Sequence, residues 1–209
     1  IGGAGHEVIA RITTEPGVSV LGIPETGHYG FALNPRQSKV YVFDLSSNRL
    51  VQTVPVGPGS DQFSFTQQFA YVRSTGSEFV TMIKLSDIGK EAAVTKFPAG
   101  QRAPAESPAR SHAASIIPAP EEGAVLVANP ADKMIYYYSE GMAAPMGSFQ
   151  NYKRDPRALL VMDNSLRETE GGVYSTSVRF NTPGQYDVAF LLDSPRLITC
   201  FEITVGENP

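Results

Sequence analysis

The sequence predicts an all-β protein, built from repeated four-stranded units with a smaller β module after them, and three observations carry that expectation. The chain is 42% hydrophobic and only 18% charged, with 19 Gly and 16 Pro. Such a balance suits many short strands joined by turns and is the opposite of a disordered chain, which combines low hydrophobicity with high charge. Pairs of apolar strand segments then return at a fixed spacing, and after Met146 the texture changes to longer alternating segments. With 209 residues there is room for one large or two small domains with a packed core.

The repeat is explicit. Phe31-Ala32-Leu33-Asn34 followed by Val40-Tyr41-Val42-Phe43-Asp44-Leu45 aligns with Ala70-Tyr71-Val72-Arg73 followed by Val80-Thr81-Met82-Ile83-Lys84-Leu85, an offset of 40 residues. A period of that length is one four-stranded propeller blade. Each unit continues into another β-rich stretch that closes on Val54-Pro55-Val56-Gly57 or Phe97-Pro98-Ala99-Gly100. A third unit reads as Ala124-Val125-Leu126-Val127-Ala128-Asn129-Pro130 and then Lys133-Met134-Ile135-Tyr136-Tyr137-Tyr138-Ser139, its spacing stretched by about 14 residues. The extra length falls in residues 98–120, rich in Pro, Ala and Ser, which reads as an irregular extended excursion. Upstream, residues 7–12 read as the closing strand of a preceding blade and residues 18–23 as the opening strand of the first full one.

Asp44-Leu45-Ser46-Ser47-Asn48-Arg49 running into Leu50-Val51-Gln52-Thr53-Val54-Pro55-Val56-Gly57 resembles the YVTN-type, or cytochrome-d1-like, β-propeller repeat, and Val127-Ala128-Asn129 matches its strand-plus-Asn element. The resemblance spans residues 7–145 and implies a scaffold, a binding platform or a holder of a cofactor. A closed propeller needs at least about four blades, whereas about three and a stray strand are legible here. Further blades are therefore expected from another chain or from a removed N-terminal part, in keeping with a chain that starts at Ile1 without Met and reads as processed or truncated. Open blades leave unpaired edges that favour association.

Residues 1–146 thus read as propeller blades and residues 147–209 as a β-sandwich. In the second part, residues 159–163, 172–180, 184–193 and 198–205 read as four strands, with turns at Asn164, Gly171-Gly172 and Pro183-Gly184. Gly172-Val173-Tyr174 and Pro183-Gly184-Gln185-Tyr186-Asp187-Val188 resemble small immunoglobulin-like modules, including FixH- and YtkA-like domains. That resemblance implies that the strands bearing Tyr174 and Tyr186 are neighbours.

A net charge of −4 argues against a nucleic-acid partner, because phosphate binding needs clustered Lys and Arg. Lys153, Arg154 and Arg157, interrupted by Asp155, read as a solvated turn rather than an anion site. No run reaches the roughly 18 apolar residues of a membrane span, so a soluble periplasmic or cell-surface location is expected. Cys200 is the single cysteine and lies in an apolar run, where it reads as a buried small hydrophobe.

No catalytic constellation is legible. Asp61, Glu78 and Asp87 are spread over one repeat without a paired carboxylate, and neither a Gly-x-Ser-x-Gly elbow nor a phosphate loop occurs. His6, His28 and His112 are the three histidines. His28 sits in a loop entering a blade strand, where the related folds place ligands and axial haem residues. Met142 and Met146 flank a turn, and thioethers bind Cu(I), so His28, Met142 and Met146 form the candidate metal set for copper or haem. Tyr136 and Tyr138 share one strand face and form the candidate rim for a protein partner. No cofactor is required by these features. The expectation is a non-catalytic extracytoplasmic binding or assembly protein, with a metal- or haem-associated redox accessory and a non-catalytic subunit of a larger enzyme complex as its alternatives.

Overall fold

The computed structural model describes residues 7–90, 94–100, 113–120, 123–162, 165–178, 180–192 and 194–207. Among them the sole helical element is a single 3-10 turn, Leu85–Asp87. The chain divides into two compact units at Met162/Asp163.

The first unit holds three four-stranded antiparallel sheets, each a meander in chain order. Blade 1 comprises β1 (Val20–Gly22), β2 (Tyr29–Asn34), β3 (Lys39–Asp44) and β4 (Arg49–Pro55). Blade 2 comprises β5 (Ser60–Phe65), β6 (Phe69–Ser74), β7 (Phe79–Lys84) and β8 (Val94–Pro98). Blade 3 comprises β9 (Ile116–Pro118), β10 (Ala124–Asn129), β11 (Met134–Ser139) and β12 (Gly147–Gln150). The first three strands of blade 2 begin 40 residues after those of blade 1, as the sequence repeat requires.

Blade 2 explains why the middle strands are apolar almost without interruption. Its side chains alternate across the sheet, so both faces need a neighbour. Ala70, Val72, Ile83 and Leu85 join Phe31, Leu33, Val40, Val42 and Val54 of blade 1 in one core. Tyr71, Val80, Met82 and Phe97 join Ile116, Val125, Val127 and Tyr138 of blade 3 in a second. Rings close both junctions: Phe31 lies 5.3 Å from Phe65 between blades 1 and 2, and Phe97 lies 4.4 Å from Tyr138 between blades 2 and 3.

A joint recurs where the fourth strand of one blade passes the end of the second strand in the next. Gly100, at φ +84, lies so close to Asn129 and Asp132 that a Cβ there would come within 2.5 Å of the Asn129 amide and closer still to the Asp132 carboxylate. The Asn129 amide donates to the Ala99 carbonyl at 2.7 Å and its Oδ1 accepts from Ala131 N–H at 2.9 Å. Gly57 lies against Ser74 in the same way. At blade 1, Gly17 (φ +117) lies against Asn34, whose amide donates to the Glu15 and Pro16 carbonyls at 3.1 and 3.2 Å. Glu15 is further tied to Lys39 Nζ at 2.8 Å and to the Tyr41 hydroxyl at 2.7 Å. Residues 15–17 therefore occupy the place of a fourth-strand tail ahead of blade 1, although residues 8–16 form no regular strand.

The structure changes several boundaries. Residues 147–150 pair with β11 and belong to blade 3, so the first unit runs past Met146. Ile116–Pro118, inside the Pro- and Ala-rich stretch, is the first strand of blade 3 and pairs with β10; residues 101–112 of that stretch lie outside the described residues. Residues 159–162 are not a strand; Leu159 N–H instead donates to the Ala114 carbonyl just ahead of β9.

The second unit contains β13 (Arg167–Glu170), β14 (Val173–Ser175), β15 (Gly184–Leu192) and β16 (Leu197–Val205). They form two separate hairpins, β13 with β14 and β15 with β16. Tyr174 and Tyr186 consequently lie in different sheets rather than on neighbouring strands. The tight turn at Gly172 (φ +79), where Glu168 Oε1 accepts Gly172 N–H at 2.8 Å, pairs β14 with the segment just before it. Cys200 lies opposite Ala189 and is exposed rather than buried, because no described residue of this unit is buried.

Gly100→Ala combines left-handed backbone strain with a clash into blade 3 and is expected to cost about 3 kcal/mol. Gly89→Ala has φ +89 but nothing within 4 Å of the added carbon, and strain alone should cost it about 1 kcal/mol. Urea midpoints of the two variants measure the difference, and equal losses would show that the joint is not tightly packed.

Candidate functional site

A cavity in the first unit lies at one end of the junction between blades 1 and 2. The loop ahead of β2 supplies Thr26 and His28, the end of β3 supplies Asp44 and Ser46, and blade 2 supplies Gln67, Gln68, Leu85 and Ser86. With Tyr29 these residues line a half-open cavity of about 420 Å³, within the size range of small-molecule sites. The walls are hydroxyls, amides, one imidazole and one carboxylate, with Leu85 as the apolar floor.

Asp44 is fixed by the β3–β4 turn. Its Oδ1 accepts the Ser46 hydroxyl at 2.6 Å and the Ser46 and Ser47 N–H groups at 2.8 and 3.0 Å, in a turn that also needs Asn48 at φ 55. The Ser46 hydroxyl, then these backbone donors, hold its carboxyl below the usual range, so it is ionised at neutral pH.

At the corresponding end of the second junction a carboxylate crosses between the blades. Glu140, directly after β11, accepts the Thr66 hydroxyl and, at 3.3 Å, the Gln68 N–H. Burial, with the Glu140 charge beside it, drives the Tyr71 phenol well above its ordinary pKa.

His28 lines the cavity, whereas Met142 and Met146 are exposed around the β11–β12 turn of blade 3, so blade 2 stands between the histidine and the thioethers. His6 and His112 lie outside the described residues. No group of three or more His, Cys, Asp or Glu side chains suited to a metal occurs among the described residues. Tyr138 is buried to 1% exposure and its hydroxyl donates to the Pro98 carbonyl, while the half-buried Tyr136 donates to Asp132 Oδ2 at 2.7 Å. The surface these two rings meet is thus blade 2 of the same chain. Tyr137 lies on the opposite face of β11, in register with Leu126. Lys153 and Arg154 are exposed in a turn with Tyr152 and Lys153 at positive φ. Sequence reading found His28 but missed Thr26, Asp44 and Gln68, because they converge across two blades; the Thr-x-x-aromatic spacing shared by Thr26/Tyr29 and Thr66/Phe69 was the available signal.

Neither a family model nor a curated protein matches the sequence. Solved structures do match. The chain is similar to a chain of hydrazine synthase from Kuenenia stuttgartiensis, at 16% identity and a TM-score of 0.53, over 74% of this chain and 42% of that one. It is also similar to U3-55K, at 7% identity and a TM-score of 0.50, over 68% of this chain and 42% of that one. At such identities the likeness is one of fold, and it defines a protein built on β-propeller blades. The chain spans about two fifths of the length of those propeller chains. Among the described residues no helix is long and apolar enough to cross a membrane.

Burial raises the Tyr138 phenol to about 12, and burial followed by the Asp132 hydrogen bond raises Tyr136 to about 12. Both phenols ionise near 10 when unfolded, so the folded form holds their protons more tightly. Their contribution to stability is complete below about pH 10 and is lost as the pH climbs towards 12. Urea midpoints measured from pH 9 to 12 should fall across that window, and less steeply in Tyr138→Phe; parallel profiles would contradict the assignment.

Proposed function

We propose that this chain contributes a run of blades to a larger β-propeller assembly and serves there as a non-catalytic, extracytoplasmic platform for a protein partner. The observation that carries the reading is the Gly17–Asn34 joint. Residues 15–17 stand on blade 1 as residues 98–100 stand on blade 3, so they mark the tail of a blade whose other strands are not among the described residues.

Exposed apolar side chains on the outer faces of blades 1 and 3 support it, although Ala32, Tyr41 and Ala128 on those faces are themselves buried. On blade 1, Leu21 is in register with Ala32, and Ala32 with Tyr41; Leu21 is 76% exposed. On blade 3, Ile135 is in register with Ala128 and with Phe149, which is 55% exposed. Each is the face that its counterpart in blade 2 buries against a neighbour. The missing neighbours are further blades, from another chain or from more of the same polypeptide. The extracytoplasmic setting rests on the resemblance of the repeat to YVTN-type propellers.

Light scattering of the purified chain should give a mass above 22.5 kDa that rises with concentration. Leu21→Lys with Phe149→Lys should return it to the monomer without lowering its urea midpoint, because both side chains are already exposed. A cooperative monomer at every concentration would overturn the assembly reading.

A further inference from the structure

Three backbone bonds align the blades residue by residue. The residue after each third strand donates its N–H to the loop that leads into the second strand. Leu45 donates to the His28 carbonyl at 3.0 Å, Leu85 to Gln68 at 2.8 Å and Glu140 to Gly123 at 2.6 Å. Leu45, Leu85 and Glu140 therefore hold one position in three blades, and His28 and Gln68 hold another. Thr26 and Thr66 each stand two residues ahead of the latter.

Between blades 2 and 3 this position sends a carboxylate back across the junction, where Glu140 sits on the Thr66 hydroxyl and the Gln68 N–H. Between blades 1 and 2 the residue facing Thr26 and His28 is Leu85, which carries no carboxylate. The space that Glu140 fills at one junction is a cavity of about 420 Å³ at the other, with Thr26 and His28 on its wall. Two donors that hold an acid in one junction thus face an opening in the next.

Asp44 restricts what enters. Its ionised carboxylate lines the same cavity, so a simple anion is repelled, while a simple cation leaves the Thr26 and His28 donors unused. A molecule carrying both charges satisfies both ends. We propose that this cavity binds a small zwitterion of the α-amino-acid class, its carboxylate on the Thr26 hydroxyl and the His28 N–H in the manner of Glu140, and its ammonium towards Asp44. The amides of Gln67 and Gln68 and the hydroxyl of Ser86 suit a polar ligand side chain. This assignment is independent of how the blades assemble.

Titration calorimetry and ¹H–¹⁵N spectra of the 209-residue chain, with L-serine and L-glutamine as probes, test it. Saturable binding is expected, with shifts confined to the loops around His28, Asp44, Gln68 and Ser86, whereas acetate and methylammonium at equal concentration should give none. Thr26→Val, at an exposed position, should weaken binding about tenfold through loss of a charge-assisted hydrogen bond. Leu85→Glu should abolish binding by supplying the acid from within; because Leu85 is also a core residue, Thr26→Val remains decisive if that variant fails to fold. No shifts with either amino acid, acetate binding as tightly as the amino acids, or unchanged affinity in Thr26→Val would each overturn the proposal.

Discussion

Alternation of side chains across a strand forces each blade of this protein to bury two faces, and most of the remaining architecture follows from that demand. A single four-stranded sheet can cover neither face by itself. Blade 2 meets the demand on both sides, which is why Tyr71 and Val72, adjacent in sequence, belong to different cores. Among the described residues, blades 1 and 3 have a neighbouring blade on one side only, and exposed apolar side chains such as Leu21 and Phe149 remain on the other.

The joints between blades are polar where the cores are apolar. Asn34 and Asn129 each place an amide on the carbonyls of the preceding segment and turn their own oxygen to the following turn, so one side chain satisfies backbone groups of two elements. A glycine beside each lets the chains approach closely. This arrangement fixes the spacing of the blades at one end, and the side chain after the third strand governs the other. That residue is Glu140 at one junction, where it bonds to Thr66 and Gln68, and Leu85 at the other, where it lines the cavity.

Much of the blade structure was legible because it is written locally: the 40-residue offset, apolar middle strands and the Pro-x-Gly closures survive translation into three dimensions almost unchanged. What stayed hidden was non-local. The first strand of blade 3, Ile-Ile-Pro, has two β-branched residues but is only three residues long and stands in a Pro- and Ala-rich stretch, so its pairing with β10 is what marks it as a strand. Cys200 sits in an apolar run that reads as core, but its hairpin is two strands wide and buries nothing. Alternation foretold that Tyr136 and Tyr138 share a face, but which neighbour that face meets depends on packing between blades. The cavity was invisible for the same reason, since its walls come from four separated stretches.

Among the described residues the buried cores lie between consecutive blades, so cohesion passes from one blade to the next. The energy of the array is the sum of what each blade holds within itself and what each pair holds between them. Adding one blade to an end contributes its own interior and also turns the former end into a middle. An open run therefore gains cohesion with every member, and its loosest parts are always the two that have a single neighbour. Closing the ring removes both loose ends at once, so the last blade to arrive stabilises the whole more than any that preceded it.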